Sequence, residues 1–262
     1  SIIIETYFLV IKNNKNFNKT IVKIDNDIPQ LCGTFFKNTK DLDIYPLGGI
    51  SNVLVKLENK FSKKITKENT DNFGFKNSIK WSIDNKIDYA FIGDSFTYGA
   101  DVAHKEGFVD YFSKIHPKTI NFGCGGTGPI IQKGIFSEYV KNIKPNYVIW
   151  NLNLGNDINS DLPTELKSFY KNYLNDNFSQ NLINKQTEIN RIYTEYWIKF
   201  VDIKNKEIEK QILKKKKYKK KNIEFTNIFK FNTLRNYFGL KFSFSPSSFE
   251  ILKSILYKIK EE

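Results

Sequence analysis

Methionine is missing from this 262-residue chain, and only two histidines, two cysteines and two arginines occur in it. Each scarcity excludes something. Cys32 and Cys124 cannot build the multi-bridge framework of a small secreted domain, and no Cys/His cluster has the spacing of a zinc site. They read as two separate buried thiols. Arg191 and Arg235 stand alone beside a large excess of lysine. Arginine is the side chain suited to bidentate phosphate and guanine contacts, so no nucleic-acid partner is expected despite a formal charge of +13. Crossing a bilayer takes about 20 apolar residues, and no such run is present. The nearest, Ile2–Ile11 (IIIETYFLVI), reads either as a buried strand or as the end of a membrane anchor that begins upstream of residue 1. A start at Ser1 with no methionine anywhere reads as a fragment or a processed chain.

Hydrophobic residues make up 40% of the chain and aromatics 15%, which suffices for a packed core and argues against global disorder. Three stretches differ in rhythm. Residues 1–85 alternate short β-like runs with turn signals at Pro29, Gly33, Pro46 and Gly48-Gly49, as an N-terminal extension would. Residues 86–160 alternate apolar strands (87–92, 119–122, 147–152) with helical segments, the first expected from Thr97 to about Ile115 and the second over 130–143. This pattern predicts an α/β fold with a parallel sheet covered by helices. Residues 161–262 are rich in Lys and Asn, with helical spacing over 164–215 and 247–259. Their block Lys214–Lys221, broken only by Tyr218, reads as a solvated helix end or as a surface for anionic lipid or polysaccharide.

Each of the three strands runs into a polar motif. The first is Gly93-Asp94-Ser95, the second Asn121-Phe122-Gly123-Cys124-Gly125-Gly126, and the third Gly155-Asn156-Asp157. In open parallel sheets the site lies beyond the carboxyl ends of the strands, so the three motifs are expected to share one site. Ser95 at a strand-to-helix turn is a candidate nucleophile whose own N–H can face an oxyanion. Asp94 can cap the helix or order neighbouring loops. The glycine loop lets backbone approach a substrate, with Gly126 best placed to offer an N–H, and Asn156 carries an amide that can reach the same oxygen. Singly, each motif can also be only a turn or a cap. The glycine loop lacks the spacing of a P-loop or of a dinucleotide-binding turn, which leaves a phosphate-binding module as a minor alternative.

In this order and at strand ends, the motifs resemble the SGNH/GDSL hydrolases. The resemblance rests on Phe91–Gly99 (FIGDSFTYG), Ile120–Pro129 (INFGCGGTGP) and Pro145–Asp157 (PNYVIWNLNLGND), and Gly74-Phe75-Lys76-Asn77 resembles a segment that precedes the first motif in some members. It covers about residues 70–160. It implies a three-layer α/β/α, flavodoxin-like fold, incomplete here at the C-terminus, and ester hydrolysis or acyl transfer through an acyl-serine intermediate with no cofactor or metal. By motif match Ser95 is the nucleophile, and the Ser95 N–H, the Gly126 N–H and the Asn156 amide form the oxyanion hole, with Asp94 and Asp157 in support.

Members of that family carry Asp-x-x-His near the C-terminus, where the histidine is the base. Here no histidine follows residue 160. Asp101-Val102-Ala103-His104 has the spacing, but it lies in the helix expected to lead away from Ser95, and His116 reads as a helix terminus before Pro117. The chain therefore reads as cut at both ends, with residues 161–262 inserted before a missing catalytic block. The expected substrate is an acyl ester or acylated carbohydrate, at the cell envelope or, alternatively, in the cytoplasm, and the chain as it stands is expected to be nearly inactive. O-acyl transfer to an envelope polysaccharide and a non-catalytic, glycan- or partner-binding domain are the competing readings.

Overall fold

A computed structural model describes residues 32–58, 65–77, 79–100, 102, 105–218, 251 and 254–256. The Ile2–Ile11 run lies outside these residues. The apolar runs after Lys86, Lys118 and Asn146 become three parallel strands. Strand β3 (Tyr89–Gly93) is central, flanked by β4 (Thr119–Asn121) and β5 (Tyr147–Asn151). Tyr89 faces Thr119 on one side and Tyr147 on the other, and Gly93 ends opposite Asn151. The remaining described strands, β1 (Leu54–Glu58) and β2 (Ile65–Asn69), form a separate antiparallel pair. The result is a mixed α/β architecture with a small parallel sheet.

Side chains alternate across β3. Phe91 packs edge-on against Phe108 and Phe112 of helix α2 (Phe108–Ile115). Ala90 and Ile92 join the main core with Ile130, Ile131 and Ile135 of helix α3 (Pro129–Ile135). Pro129 sits in the first turn of α3, where its missing N–H costs nothing. The helix continues through a π-helical turn, Phe136–Val140, to a last turn at Lys141–Ile143.

A continuous helix from Thr97 to Ile115 does not form. Helix α1 spans only Ser95–Tyr98, because Gly99 takes a left-handed conformation (φ 75°) and returns its N–H to the Phe96 carbonyl. Helix α2 starts separately after Gly107, whose N–H the Asp110 carboxylate accepts at 3.1 Å. Farther along, the helical spacing expected from residue 164 resolves into a short α4 (Leu162–Glu165), 3-10 turns at Phe169–Leu174 and Leu182–Asn184, and a long α5 (Gln186–Tyr218). Ile189, Ile192, Tyr193 and Trp197 recur at helical spacing and form the buried face of α5. The lysine block begins within α5, but its side chains lie outside the described residues. No described helix is long and apolar enough to cross a membrane.

The segment before the sheet shares this core. Phe36 packs on Tyr193 (ring centroids 4.9 Å apart), and the Tyr170 hydroxyl donates to the carbonyls of Gly33 (2.7 Å) and Pro46 (2.9 Å). Cys32 and Cys124 are not separate thiols: they form a disulfide across 92 residues. Their separation in sequence hid this, because only the folding of the 3-10 turn Gly33–Phe36 onto the glycine loop brings them together.

Breaking this bond is expected to cost stability chiefly by releasing loop entropy in the unfolded chain. The double variant C32S/C124S should lose about 4 kcal/mol in urea unfolding, and reductant should lower the wild type to match. A wild-type midpoint insensitive to reductant would contradict the bond.

Candidate active site

All three polar motifs lie at the carboxyl edge of the parallel sheet, and close backbone approach holds them there. A Cβ on Gly93 would sit 2.1 Å from Thr97 Oγ1 and 2.7 Å from the Asn151 carbonyl, so only glycine lets β3 turn into α1 here. The Gly93 carbonyl accepts the Cys124 N–H at 3.0 Å, which ties the first motif to the second. Asn121 strengthens that link by donating to the Thr97 carbonyl (2.9 Å) and accepting the Gly123 N–H (2.8 Å). Asn151 Nδ2 donates to Thr97 Oγ1 at 3.1 Å, bringing in the strand of the third motif.

Within this frame Asp94 is fully buried and does two things. Its Oδ1 accepts the Phe96 N–H at 2.9 Å, capping α1, and its Oδ2 accepts from Asn156 Nδ2 at 3.3 Å. Asn156 Nδ2 also donates to Asp161 Oδ2 at 3.1 Å. Both amide hydrogens are thus directed at carboxylates, and contact with a substrate oxygen requires Asn156 to exchange one of them. Ser95 opens α1, and a Cβ on Gly125 would be 3.9 Å from its Cβ. Ser95, Gly125, Gly126 and Asn156 are partly exposed, whereas Asp94, Cys124, Thr127 and Asp157 are buried. A reachable hydroxyl therefore lies beside a glycine loop, with a carboxamide one residue-contact away through Asp94.

Asp157 lies beneath this layer. Its Oδ2 accepts from Gln132 Nε2 and from the Asn153 N–H, both at 3.1 Å. Burial, reinforced by the nearby Asp94 and Asp161 carboxylates, pushes its pKa up to about 8 against those two donors. Gln132 is itself held by Trp150 Nε1 at 2.6 Å and donates to the Thr127 carbonyl at 2.9 Å, so Asp157 connects the third motif to the start of α3.

The surrounding support was not legible from spacing. Glu165 of α4 accepts the N–H groups of Gly128 (2.5 Å), Ile130 (3.0 Å) and Ile131 (3.3 Å) and so caps α3. Burial raises it to about 7, against the lowering effect of Lys37 and these backbone donors. Lys37 Nζ reaches Asp161 at 3.2 Å, Glu165 at 3.7 Å and the Gly126 carbonyl at 2.7 Å. Gly74–Asn77, already notable in the sequence, braces the sheet. Asn77 pairs with both backbone groups of Asn121 (2.8 and 3.1 Å) and donates to Asp71 at 2.7 Å. Lys76 is buried between Glu68 (3.4 Å) and Asp110 (3.5 Å).

The histidines are placed otherwise. His116 ends α2 and packs on Phe112 and on Tyr89, the first residue of β3, at the sheet edge opposite Ser95. His104 lies outside the described residues. Among the described residues no group of three or more His, Cys, Asp or Glu is arranged to hold a metal ion. Compared with known proteins, the chain matches no family model, no curated protein and no solved structure.

The raised Asp157 pKa fixes a sign. Between the ordinary carboxylate value and about 8 the folded chain holds a proton that the unfolded chain gives up, so stability falls as pH rises through that window. Asp157→Asn keeps the two accepted hydrogen bonds and cannot ionise. Thermal melting of the variant should match wild type near pH 3, below the ordinary carboxylate value, and exceed it at pH 8 and above; parallel melting curves across this range would refute the assignment.

Proposed function

We propose that the chain carries the acyl-transfer site of an SGNH/GDSL-type serine hydrolase, with Ser95 as nucleophile and an ester, including an acylated carbohydrate, as substrate. The observation that carries this is the convergence of Ser95, Gly125-Gly126 and Asn156 at one sheet edge, with Ser95 and the glycine loop in near contact. In this reading the Ser95 Oγ attacks the ester carbonyl, the developing oxyanion is met by the N–H groups of Ser95 and Gly126, and its collapse breaks the ester C–O bond to leave an acyl-serine and an alcohol that carries away the Ser95 proton. Asn156 joins them by releasing one carboxylate. Asp94 fixes the start of α1, and Asp157, protonated at neutral pH, keeps a second negative charge away from a centre where negative charge must develop. Asn121 and Asn77 hold β4 in register beneath the loop.

The parallel sheet with a helix against each face of β3 supports a three-layer α/β/α arrangement. The disulfide supports an oxidising compartment, in keeping with an envelope or extracytoplasmic location. The fate of the acyl group, water or a sugar hydroxyl, is separated by a product assay with acceptor present. A second reading, a non-catalytic glycan- or partner-binding domain, is favoured by one observation. The single described histidine is at the opposite end of β3, so no described imidazole is placed to take the Ser95 proton. Without a base, an oxyanion hole retains only a small residue of serine-hydrolase rate.

An activated aryl acetate, whose leaving group needs little proton transfer, separates these readings. The protein should become acetylated at Ser95 in a single slow turnover, seen by mass spectrometry of the peptide that contains it, and S95A should not. Modification of wild type and S95A alike would favour the binding reading.

A further inference from the structure

Two adjacent glycines form the least constrained dipeptide in a chain, and ordering them costs backbone entropy that no side chain of their own offsets. Gly125 and Gly126 are nonetheless held residue by residue from the turn that follows Cys32. Cys124, just before them, is bonded to Cys32. The Gly125 carbonyl accepts from Thr34 Oγ1 at 3.2 Å, and the Gly126 carbonyl accepts from Lys37 Nζ at 2.7 Å. Three consecutive loop residues are fixed by positions 32, 34 and 37, on one side of the loop.

The side matters because a trans peptide is planar, with its C=O and N–H pointing in opposite directions. No cis peptide occurs among the described residues. With the Gly125 carbonyl turned to Thr34, the N–H of the same peptide, which belongs to Gly126, must point away from the turn. Gly126 adopts φ 72°, and a Cβ there would approach Thr34 at 3.6 Å, whereas a Cβ on Gly125 would approach Ser95 at 3.9 Å. The loop thus lies between the 32–37 turn and Ser95. Lys37 extends the hold to the third motif, since it pairs with Asp161, and Asp161 accepts from Asn156.

We propose that Thr34 and Lys37 are positioning residues that clamp the glycine loop, Thr34 on the Gly125–Gly126 peptide and Lys37 on the peptide after it, so that the Gly126 N–H is turned toward Ser95. The role rests on the acyl-transfer reading above, although the clamp itself is a statement about the loop. It also gives the disulfide a function beyond stability, because the bond anchors the clamp to the loop it orients.

Thr34→Val removes the donor and keeps the branched shape, and Thr34→Ser restores the hydroxyl. Lys37→Met would leave Asp161 and Glu165 without their cation and is at risk of misfolding, so T34V is the principal variant. Two readouts are taken together: the amide proton resonance and hydrogen exchange of Gly126, and the second-order rate of Ser95 modification by a fluorophosphonate, whose phosphoryl oxygen needs the same donors. In T34V the Gly126 resonance should shift and exchange faster. Modification should slow about tenfold, a fraction of what removing an oxyanion donor costs, with melting unchanged, and T34S should return both to wild type. A T34V protein modified at the wild-type rate with an unaltered Gly126 signal overturns the proposal. If wild-type Ser95 does not react at all, the acyl-transfer reading falls. The clamp is then judged on the amide signal alone: a shift in T34V upholds it and none refutes it.

Discussion

The buried carboxyl group of Asp94 is the constraint to which the site edge is fitted. A carboxylate taken from water is costly unless hydrogen bonds replace its hydration. Here those bonds come from the first turn of α1, through the Phe96 N–H, and from the third motif, through Asn156. The same group therefore starts the helix that presents Ser95 and sets the place of the loop after β5. It also acts on its neighbour: burial first of all, and Asp94 beside it, push the Asp157 pKa up to about 8. One buried carboxyl group, bonded to two loops, sets the geometry of this edge and adds to the burial that keeps Asp157 protonated.

A second layer of control comes from residues far away in the chain. The glycine loop needs conformational freedom to pass close to Ser95, and that freedom has to be removed for the loop to hold one shape. The turn at Cys32–Lys37 removes it by a covalent bond and two hydrogen bonds, and Lys37 joins this support to Asp161 and Glu165. Glu165 in turn caps α3, the helix that leads away from the loop. The N-terminal stretch is therefore part of the site's frame and shares the core through Phe36, Leu47, Phe73 and Phe75.

The site lies at the carboxyl edge of a sheet in which β3, β4 and β5 are parallel, and the histidine at the opposite edge is held by aromatic packing on Tyr89 and Phe112. Ser95, the glycine loop and Asn156 are thus collected at one end of β3 while the single described imidazole is fixed at the other. This separation is the physical reason that the acyl-transfer reading and the binding reading lead to different chemistry for the same scaffold.

What was legible in the sequence was local. Strands β3 and β4 showed as apolar runs because both faces of a covered sheet exclude water, and β5 showed as one although Tyr147 and Val148 are exposed. Their polar ends showed because strand-to-helix turns need glycine and a capping Asp. Ser95, Gly126, Asn156, Asp94 and Asp157 stand out in that pattern as candidates, and the structure brings the segments that carry them to one sheet edge. Helix α1 was misjudged in length because the left-handed stop at Gly99 outweighs the helical spacing beyond it. The disulfide, the Lys37 and Thr34 contacts and the Glu165 cap were out of reach. Each joins positions at least 34 residues apart, and no periodicity encodes which distant turn docks on which loop. The sequence by itself determined the alternation of elements and which side chains have the chemistry, because hydrophobic period and turn stereochemistry act over a few residues. Only tertiary structure decided which carboxyl group keeps a proton, which way the Gly125–Gly126 peptide faces and which end of β3 His116 occupies, because burial, charge and orientation are set by neighbours that the chain brings together only when folded.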